Sequence, residues 1–364
     1  MSITVQEFKT EEKYIKEFLE LPKRLYSKKD WMQSINEERA ILLEEHALSH
    51  YFSIHRLLAF SEENQVVGRA VLTIYPEDTT AYLGFYESED DVSVCRALVE
   101  RAEELAKEAG CEKIIGPVDA SFWIRYRFKT NRFGKPYTGE PYNKPYYAEL
   151  WKQAGFEVSE TYYSNHYRVV GKGDDLEKFS NRLEEKKAAG YVIKSPESAD
   201  FASALAEVYD MLIYLYRNFP AYKYITKEEF INQYSYLEKL LKYNMVKLAY
   251  YEEKPVGFFI SIPNYGNLVY GKITVFDLLK CLKIRKKPKE YVMLYMGVDS
   301  EHRGLGKALT ETIKEELQME QVPSIGALIR KGNINKDYFK NVMDFEYEYV
   351  LMEKRCEQNS KCTN

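Results

Sequence analysis

The sequence predicts an α/β (α+β) protein made of two tandem units of the same design. Two strand–turn–strand hairpins, each built from β-favouring residues around a charged turn, recur along the chain. Each hairpin is preceded by helical segments and followed by an amphipathic helix and another strand. With 364 residues, the chain is also longer than one hydrophobic core usually supports. The repeated order of elements indicates a tandem duplication.

In the first unit, a polar turn at Glu62-Glu63-Asn64 divides the hairpin. Apolar Val94, Leu98 and Leu105 then recur at helical spacing, and Gly110 is a natural helix stop. The expected elements are helices over 11–26 and 35–46, a hairpin over 53–72, a helix over 91–109 and a strand over 111–115.

The second unit repeats this order with helices over 199–217 and 227–241, a hairpin over 246–260, a helix over 306–320 and a strand over 324–329. Segments 150–157 and 339–346 share one pattern, a helix end that runs into a final strand. A polar, glycine-containing run at 171–175 marks the boundary. We therefore expect domains over 1–172 and 173–355, followed by a flexible tail over 356–364.

Two insertions break the symmetry, at 119–145 and 264–289. The second contains a short amphipathic stretch over 275–282 that leads into the basic run 283–289. This stretch is either a docked helix with a solvated basic end or a contact for an anionic ligand or partner.

Composition limits the classes of partner. The hydrophobic fraction of 45% is ordinary, and the net charge of −4 gives no general attraction to nucleic acid or to anionic membranes. The N-terminus has no signal-like pattern, and the chain has no long uninterrupted apolar run. The five cysteines and the pair His46 and His50 lack metal-ligand spacing. We expect a soluble, cytoplasmic protein with reduced thiols and no metal, nucleic-acid or membrane partner.

One segment carries a chemical signature. An apolar strand over 291–298 leads through Asp299 into Arg303-Gly304-Leu305-Gly306-Lys307-Ala308, and a helix follows. Glycines let the backbone approach a ligand closely, and a helix N-terminus offers unpaired N–H donors and a favourable dipole. Arg303 adds positive charge. The order strand, glycine loop, helix predicts a diphosphate-binding loop.

At this segment the chain resembles the GNAT acetyltransferase superfamily, whose loop pattern R/Q-x-x-G-x-G/A is matched by Arg303, Gly306 and Ala308. The resemblance implies that each unit is a mixed, mostly antiparallel sheet flanked by helices, and that acetyl-CoA is the cosubstrate. It assigns cofactor binding to Met296, Gly297, Val298, Arg303, Gly304, Leu305, Gly306, Lys307, Ala308, Leu309 and Asn333. Asn333 is equally well placed to cap a helix.

The resemblance extends to poorly characterised bacterial proteins in which a divergent GNAT-like half precedes a better preserved one. The shared traits are Leu21-Pro22-x-x-Leu25-Tyr26, Gly116-Pro117-Val118, Tyr142-Asn143-x-Pro145-Tyr146-Tyr147 and the basic insertion. This implies a degenerate first half.

The second half departs from the superfamily at the catalytic positions. Relatives often carry a glutamate base within the cofactor strand, where this chain has apolar Val292 and Leu294. The usual tyrosine acid is replaced by Lys340, with Tyr338 two residues earlier as a substitute that can protonate the leaving thiolate or serve only in packing. Further candidates are Glu290, Tyr295, Asp299 and Glu301.

The first half has carboxylates where the glycine loop should be, in the run 88–93, and they would repel a diphosphate. We therefore expect no cofactor there. Aromatic, polar and basic residues of this half could instead line a substrate cleft or form an aromatic interface between the domains. These residues are Tyr142, Asn143, Tyr146 and Trp123, together with Arg125 and Arg127.

These observations predict an acetyl-CoA-dependent N-acetyltransferase with a small-molecule or peptide amine as acceptor. The missing strand glutamate keeps open a non-catalytic acyl-CoA sensor or scaffold. A Fem-type aminoacyl transferase also has tandem GNAT-like domains, but the intact CoA loop and the acidic chain argue against it.

Overall fold

A computed structural model describes residues 2–76, 78–171, 174, 177–271 and 273–356, except the side chains of residues 177 and 334. In this part of the chain, strands of both units join one 13-stranded sheet, and a second sheet has two strands. The first unit contains β1 Thr4–Phe8, α1 Glu12–Leu25, α2 Ile35–Leu42, β2 Ser53–Phe60, β3 Val66–Ile74, β4 Thr80–Ser88, α3 Val92–Glu108, β5 Lys113–Gly116, β6 Val118–Asp119, β7 Arg125–Tyr126, β8 Phe128–Lys129, α4 Tyr147–Gln153 and β9 Glu157–Tyr167.

The second unit repeats the order with variations. It contains α5 Glu177–Ala188, β10 Val192–Lys194, α6 Phe201–Tyr216, α7 Lys227–Tyr234, β11 Val246–Tyr251, β12 Lys254–Pro263, α8 Val275–Lys286, β13 Tyr291–Val298, α9 Leu305–Glu320, β14 Ser324–Arg330 and β15 Met343–Arg355. A capping box of Thr226 and Glu229 starts α7, because each side chain bonds the other residue's backbone N–H.

The large sheet has the strand order β1-β2-β3-β4-β5-β15-β9-β14-β13-β12-β11-β10. Along this order only β4 with β5 and β13 with β14 are parallel. The last strand of each unit lies beside the other unit: β15 pairs with β5, and β9 pairs with β14. The predicted mixed, mostly antiparallel sheet flanked by helices is confirmed, and the two units share it.

Helices cover both faces of this sheet. One hydrophobic cluster spans both units and packs α1, α2, α6 and α7 on one face, with Phe18, Leu58, Phe258 and Tyr349 in its interior. On the other face, α3 and α4 cover the first unit, while α5 and α9 cover the second. Each helix packs one apolar stripe against the sheet, so the fold has three layers: helices, sheet and helices.

The elements predicted from periodicity are confirmed for both hairpins and for helices α1, α2, α3, α6, α7 and α9, with shifts at their ends. The predicted helix end at 339–346 is wrong, since this segment contains a short 3₁₀ turn, Lys340–Val342, before β15. The domain boundary at 172/173 lies outside the described residues, as does 357–364 of the predicted tail. The three-part division stays a prediction.

Helix α8, in the second insertion, exists but is not docked through its apolar side chains. Val275 and Phe276 are 73% and 76% exposed, and Leu278, Leu279 and Leu282 are also exposed. Cys281 is the helix's buried residue. The expectation of a docked helix is therefore wrong in this respect. No helix in the described ranges has the length and apolar character needed to cross a membrane.

Candidate acyl-CoA site

The strands of the second parallel pair separate after a short contact. β13 and β14 pair only from Tyr291 with Ser324 to Met293 with Gly326. Met293 and Tyr295 of β13 pair with Ser261 and Ile260, which are consecutive residues of β12. Leu294 therefore has no partner in β12 and forms a bulge. A bulge bends its strand and increases the local twist. The carboxyl ends of β13 and β14 thus diverge and leave a crevice between them.

The loop after β13 directs backbone donors toward this crevice. Gly304 caps α9 with φ +83° and makes no side-chain capping hydrogen bond. Asp299 Oδ1 accepts the N–H of Glu301. Among the described residues, the N–H groups of Arg303, Gly304 and Gly306 have no acceptor. Unpaired donors at the start of a long helix form an anion-binding site.

Glycine is required at one of these positions and leaves room at another. A Cβ on Gly304 would lie 2.9 Å from Arg182 Cδ, and its positive φ disfavours other residues. A Cβ on Gly306 would have 3.5 Å to both Met296 Cε and the Tyr338 hydroxyl. Arg182, which is paired with Glu185, therefore packs against Gly304, while a Cβ at Gly306 would make only ordinary van der Waals contacts.

The crevice opens into a cavity of about 1150 Å³ that residues of both units line. Its wall is rich in aromatic side chains from the first insertion, α6, α7 and β13. These include Phe122, Trp123, Tyr126, Tyr216, Phe219, Tyr234 and Tyr295. The hydroxyl of Tyr216 donates to the carbonyl oxygen of Met296, at 3.4 Å, which connects α6 with β13.

Charged groups also line this aromatic cavity. Glu37 of α2 accepts a hydrogen bond from Gln233 Nε2 at 3.3 Å. Burial raises the pKa of the Glu37 carboxyl above its usual value. Arg125 is held by Asp119, with Nε 2.5 Å from the carboxylate. Glu37 was not predicted from the sequence, because nothing in the sequence of α2 distinguishes it from a glutamate that faces solvent.

The first unit has the same parallel pair but no open crevice. β4 and β5 pair from Thr80 with Lys113 to Tyr82 with Ile115. Beyond this contact, β6 occupies the gap, and a Cβ on Gly84 would lie 1.9 Å from the carbonyl oxygen of Val118. The Asp119 carboxylate accepts the N–H of Phe85. The chain itself fills the place that the second unit leaves open.

The architecture is that of known solved structures. A tandem GNAT protein from the clavulanic acid biosynthesis pathway matches with a TM-score of 0.52 and 13% identity, over 99% of this chain and 100% of its own. The protein has the GNAT fold. A GCN5-related N-acetyltransferase from Kribbella flavida and a probable N-acyltransferase from Enterococcus faecalis each match with a TM-score of 0.50, at 10% and 12% identity.

Those two matches cover 98% of this chain and 72% and 73% of their own. No protein-family model matches the sequence, and no curated protein matches it. At such low identities the likeness concerns the GNAT fold alone.

Most of the predicted cofactor residues meet at the crevice of the GNAT fold. Met296, Gly297, Val298, Arg303, Gly304, Gly306 and Asn333 line the cavity. Leu305, Ala308 and Leu309 lie on the buried face of α9, in the core, and Lys307 is half-buried. Asn333 caps a short 3₁₀ turn by accepting the N–H of Asn335 at 3.0 Å, so the capping role is present.

Tyr338 also lines the cavity, beside Gly306. Its ring packs edge-on against Phe179 with centroids 5.5 Å apart. Burial raises the pKa of the phenol. Tyr338 is therefore neutral at physiological pH and able to donate its proton near the loop.

The predicted substrate residues separate into two groups. Trp123 lines the cavity, and its Nε1 donates to the Lys223 carbonyl at 2.7 Å. The other three have no place among the lining residues of the described chain: Asn143 bonds the backbone of Lys129, Tyr146 donates to the Ser88 carbonyl, and Tyr142 packs against Phe133. Their sequence neighbourhood suggested a cavity wall, but the contacts named here lie within the first unit.

Proposed function

We propose that the protein is an N-acyltransferase that takes acetyl-CoA as its acyl donor. The unpaired N–H groups of Arg303, Gly304 and Gly306 carry this proposal, because they open into the crevice between β13 and β14. A diphosphate fits such donors, and an extended pantetheine arm fits a gap between two diverging strands. Acetyl-CoA would supply an acetyl thioester at the inner end of the crevice.

The chain's own groups suit the remaining chemistry. An amine must lose a proton to attack a thioester, and the departing thiolate must gain one. Glu37, whose pKa is raised and which lines the aromatic part of the cavity, is a candidate acceptor for the amine proton. Tyr338 is a candidate donor to the thiolate, since its hydroxyl lies beside Gly306. Starting from the neutral amine, one C–N bond forms and one C–S bond breaks; Glu37 takes one proton from nitrogen and Tyr338 gives one to sulfur, so the net change is one proton transferred from nitrogen to sulfur.

Calorimetric titration with acetyl-CoA tests the binding step. The variant Gly306→Glu places a carboxylate among the donors, and its Cβ meets no atom closer than 3.5 Å, so the fold should persist. A glutamate near a helix N-terminus is also favourable for the helix itself. We expect saturable binding to the wild type and none to Gly306→Glu.

The matched control is Gly134→Glu, where a Cβ would have no neighbour within 4 Å. This variant adds the same charge at a position that is not among the cavity-lining residues of the described chain, and it should bind acetyl-CoA like the wild type. Equal binding by all three proteins, or binding by none, would contradict the proposal.

A non-catalytic acyl-CoA sensor is the second candidate, because β13 offers only apolar Val292 and Leu294 where a strand carboxylate would serve as base. Thiol release from acetyl-CoA across a panel of primary amines separates the two functions. A sensor would bind acetyl-CoA without releasing thiol above the spontaneous rate. An acyltransferase would release one thiol for each acetylated amine.

A further inference from the structure

Arg127 occupies an unusual place in the cavity wall. It lies between β7 and β8 with φ +90°, a conformation that is uncommon for a residue with a side chain. Its N–H donates to the carbonyl of Pro117 at 3.1 Å, which fixes this backbone. The guanidinium lies between two rings, 3.7 Å from the centroid of Tyr126 and 4.0 Å from that of Tyr162. Only 8% of the residue is exposed.

The charge of Arg127 has no counterion in the described part of the chain. No carboxylate lies within ion-pair distance, Nε has no hydrogen-bond partner, and Nη2 donates to the neutral hydroxyl of Tyr126. Two other buried arginines differ, because Arg69 is paired with Glu38 and Arg56 with Glu44. A buried charge without a partner is costly. The fold therefore keeps a cation in the cavity wall that the protein does not neutralise.

This cation lines the same cavity as the carboxyl end of β13. Burial raises the pKa of Tyr295 on β13, and the nearby charge of Arg127 partly opposes this shift. Burial and the neighbouring Tyr295 raise the pKa of Tyr216, whose hydroxyl bonds the Met296 carbonyl, and the charge of Arg127 opposes this shift as well. Arg127, Tyr216 and Tyr295 all line the same cavity.

The cavity's carboxylates do not compete for this cation. Three of them are each bound to another basic side chain: Glu38 to Arg69, Asp119 to Arg125 and Glu140 to Lys129. Glu37 has His46 as its nearest basic group, at 3.9 Å. The cavity therefore offers an unpaired cation and, in Glu37, a carboxylate free of lysine or arginine, within aromatic walls.

We propose that Arg127 binds the carboxylate of the acceptor, so that the substrate is an amine that also carries a carboxylate and an apolar or aromatic body. This rests on the proposed acyltransferase function. A guanidinium matches the planar carboxylate with two parallel hydrogen bonds. A phosphate monoester, with a charge near −2, would require more positive charge than one arginine supplies. The aromatic wall suits the rest of such a molecule.

The test uses pairs of amines that differ only in the carboxylate, such as tyrosine with tyramine and phenylalanine with phenethylamine. Phosphoethanolamine provides the phosphate arm. Binding of each is measured by calorimetry without acetyl-CoA, for the wild type, Arg127→Gln and Arg127→Lys. Turnover is then followed by thiol release. The binding arm does not depend on acyl transfer, so its outcome is separate from that of the proposed function.

We expect the wild type to bind a carboxylated amine at least tenfold more tightly than its decarboxylated partner. Arg127→Gln should remove this preference, mainly through KM in turnover, and Arg127→Lys should restore part of it. Acetyl-CoA affinity should not change. Without ligand, Arg127→Gln should unfold at the same or a higher denaturant concentration, because an unneutralised buried charge is removed.

Three outcomes would overturn the inference. The first is that no carboxylated amine binds, or that phosphoethanolamine binds more tightly. The second is equal binding within each amine pair. The third is that Arg127→Gln weakens both members of a pair equally and also lowers stability, because Arg127 would then serve only to pack Tyr126 against Tyr162.

Discussion

The two halves of the molecule share the same arrangement of strands but differ in what occupies the space beside the parallel strand pair. In each, a parallel pair makes a three-residue contact and then has room to diverge. In the first half, β6 and the Asp119 carboxylate occupy that room. In the second half, it opens into the cavity. A shared fold therefore does not imply a shared site, and the residues that follow the parallel pair decide which half can hold a ligand.

The helices that follow the two pairs differ in the same sense. Asp91 caps α3, and its Oδ1 accepts the N–H and the hydroxyl of Ser93. These hydrogen bonds lower the pKa of the Asp91 carboxyl. Gly304 caps α9 without a side chain, and among the described residues the N–H of Gly306 has no acceptor. The cap of α3 therefore carries a carboxylate, which would repel an external anion, whereas the cap of α9 carries none.

The two halves should differ most in how much stability they lose when a methyl group is added to a glycine beside the parallel strand pair. Gly84→Ala forces a Cβ into the Val118 carbonyl and should lower the free energy of unfolding by about 3 kcal/mol, as overpacking of a rigid core does. Gly306→Ala should change it little, because its nearest neighbours lie 3.5 Å away. Urea denaturation of both variants checks this. Similar losses in the two would show that the second crevice is filled as well.

The proposed role of Glu37 as the base can be tested through the pH dependence of turnover. Its pKa is raised above the usual value by burial, and it must be ionised to accept a proton. Wild-type kcat/KM should therefore rise with pH through the raised pKa. Glu37→Gln should lose this acid limb and about 10²-fold in kcat. Retention of the limb in the variant would exclude Glu37 as the base, and unchanged acetyl-CoA binding serves as the folding control.

Tyr338 should have a smaller effect on turnover than Glu37. A thiol has an ordinary pKa near ~8.5, so a departing thiolate needs less help than the attacking amine. Tyr338→Phe should reduce kcat by about tenfold to 10²-fold and leave acetyl-CoA affinity intact, because the ring can still pack on Phe179. A loss of affinity with unchanged kcat would indicate a binding role instead.

The smallest effect concerns His166, on the strand β9 that the first unit places beside the second. A hydrogen bond with Glu290 and another with Asp344 raise the pKa of this imidazole. A raised folded pKa stabilises the fold below the ordinary value near ~6.5, and the contribution is lost as pH rises through the folded pKa.

Comparison with His166→Gln isolates this contribution. The wild type should be more stable than the variant by roughly 1 kcal/mol at about pH 6, and this advantage should shrink toward about pH 9. Urea denaturation at both pH values measures the change. An advantage that grows with pH would contradict the ion pairing.

The sequence by itself determined much of the frame and the loop. Hydrophobic periodicity and turn residues identified the hairpins and most helices, because amphipathic patterns report local structure directly. The order of strand, glycines and helix located Arg303, Gly304 and Gly306, since free backbone donors follow from local geometry. It also identified the missing loop in the first half, because carboxylates stand where the glycines would be.

Only the tertiary structure decided how the halves combine and which side chains face the cavity. The pairing of β9 with β14 and of β15 with β5 joins strands far apart in sequence, and no local pattern encodes such partners. Glu37 and Arg127 are far apart in sequence but line the same cavity. Tyr142 and Tyr146 are not among its described lining residues, although their segment of the sequence is rich in aromatic residues. Residue type sets what a side chain can do, and three-dimensional packing sets which groups it meets and whether its charge is neutralised.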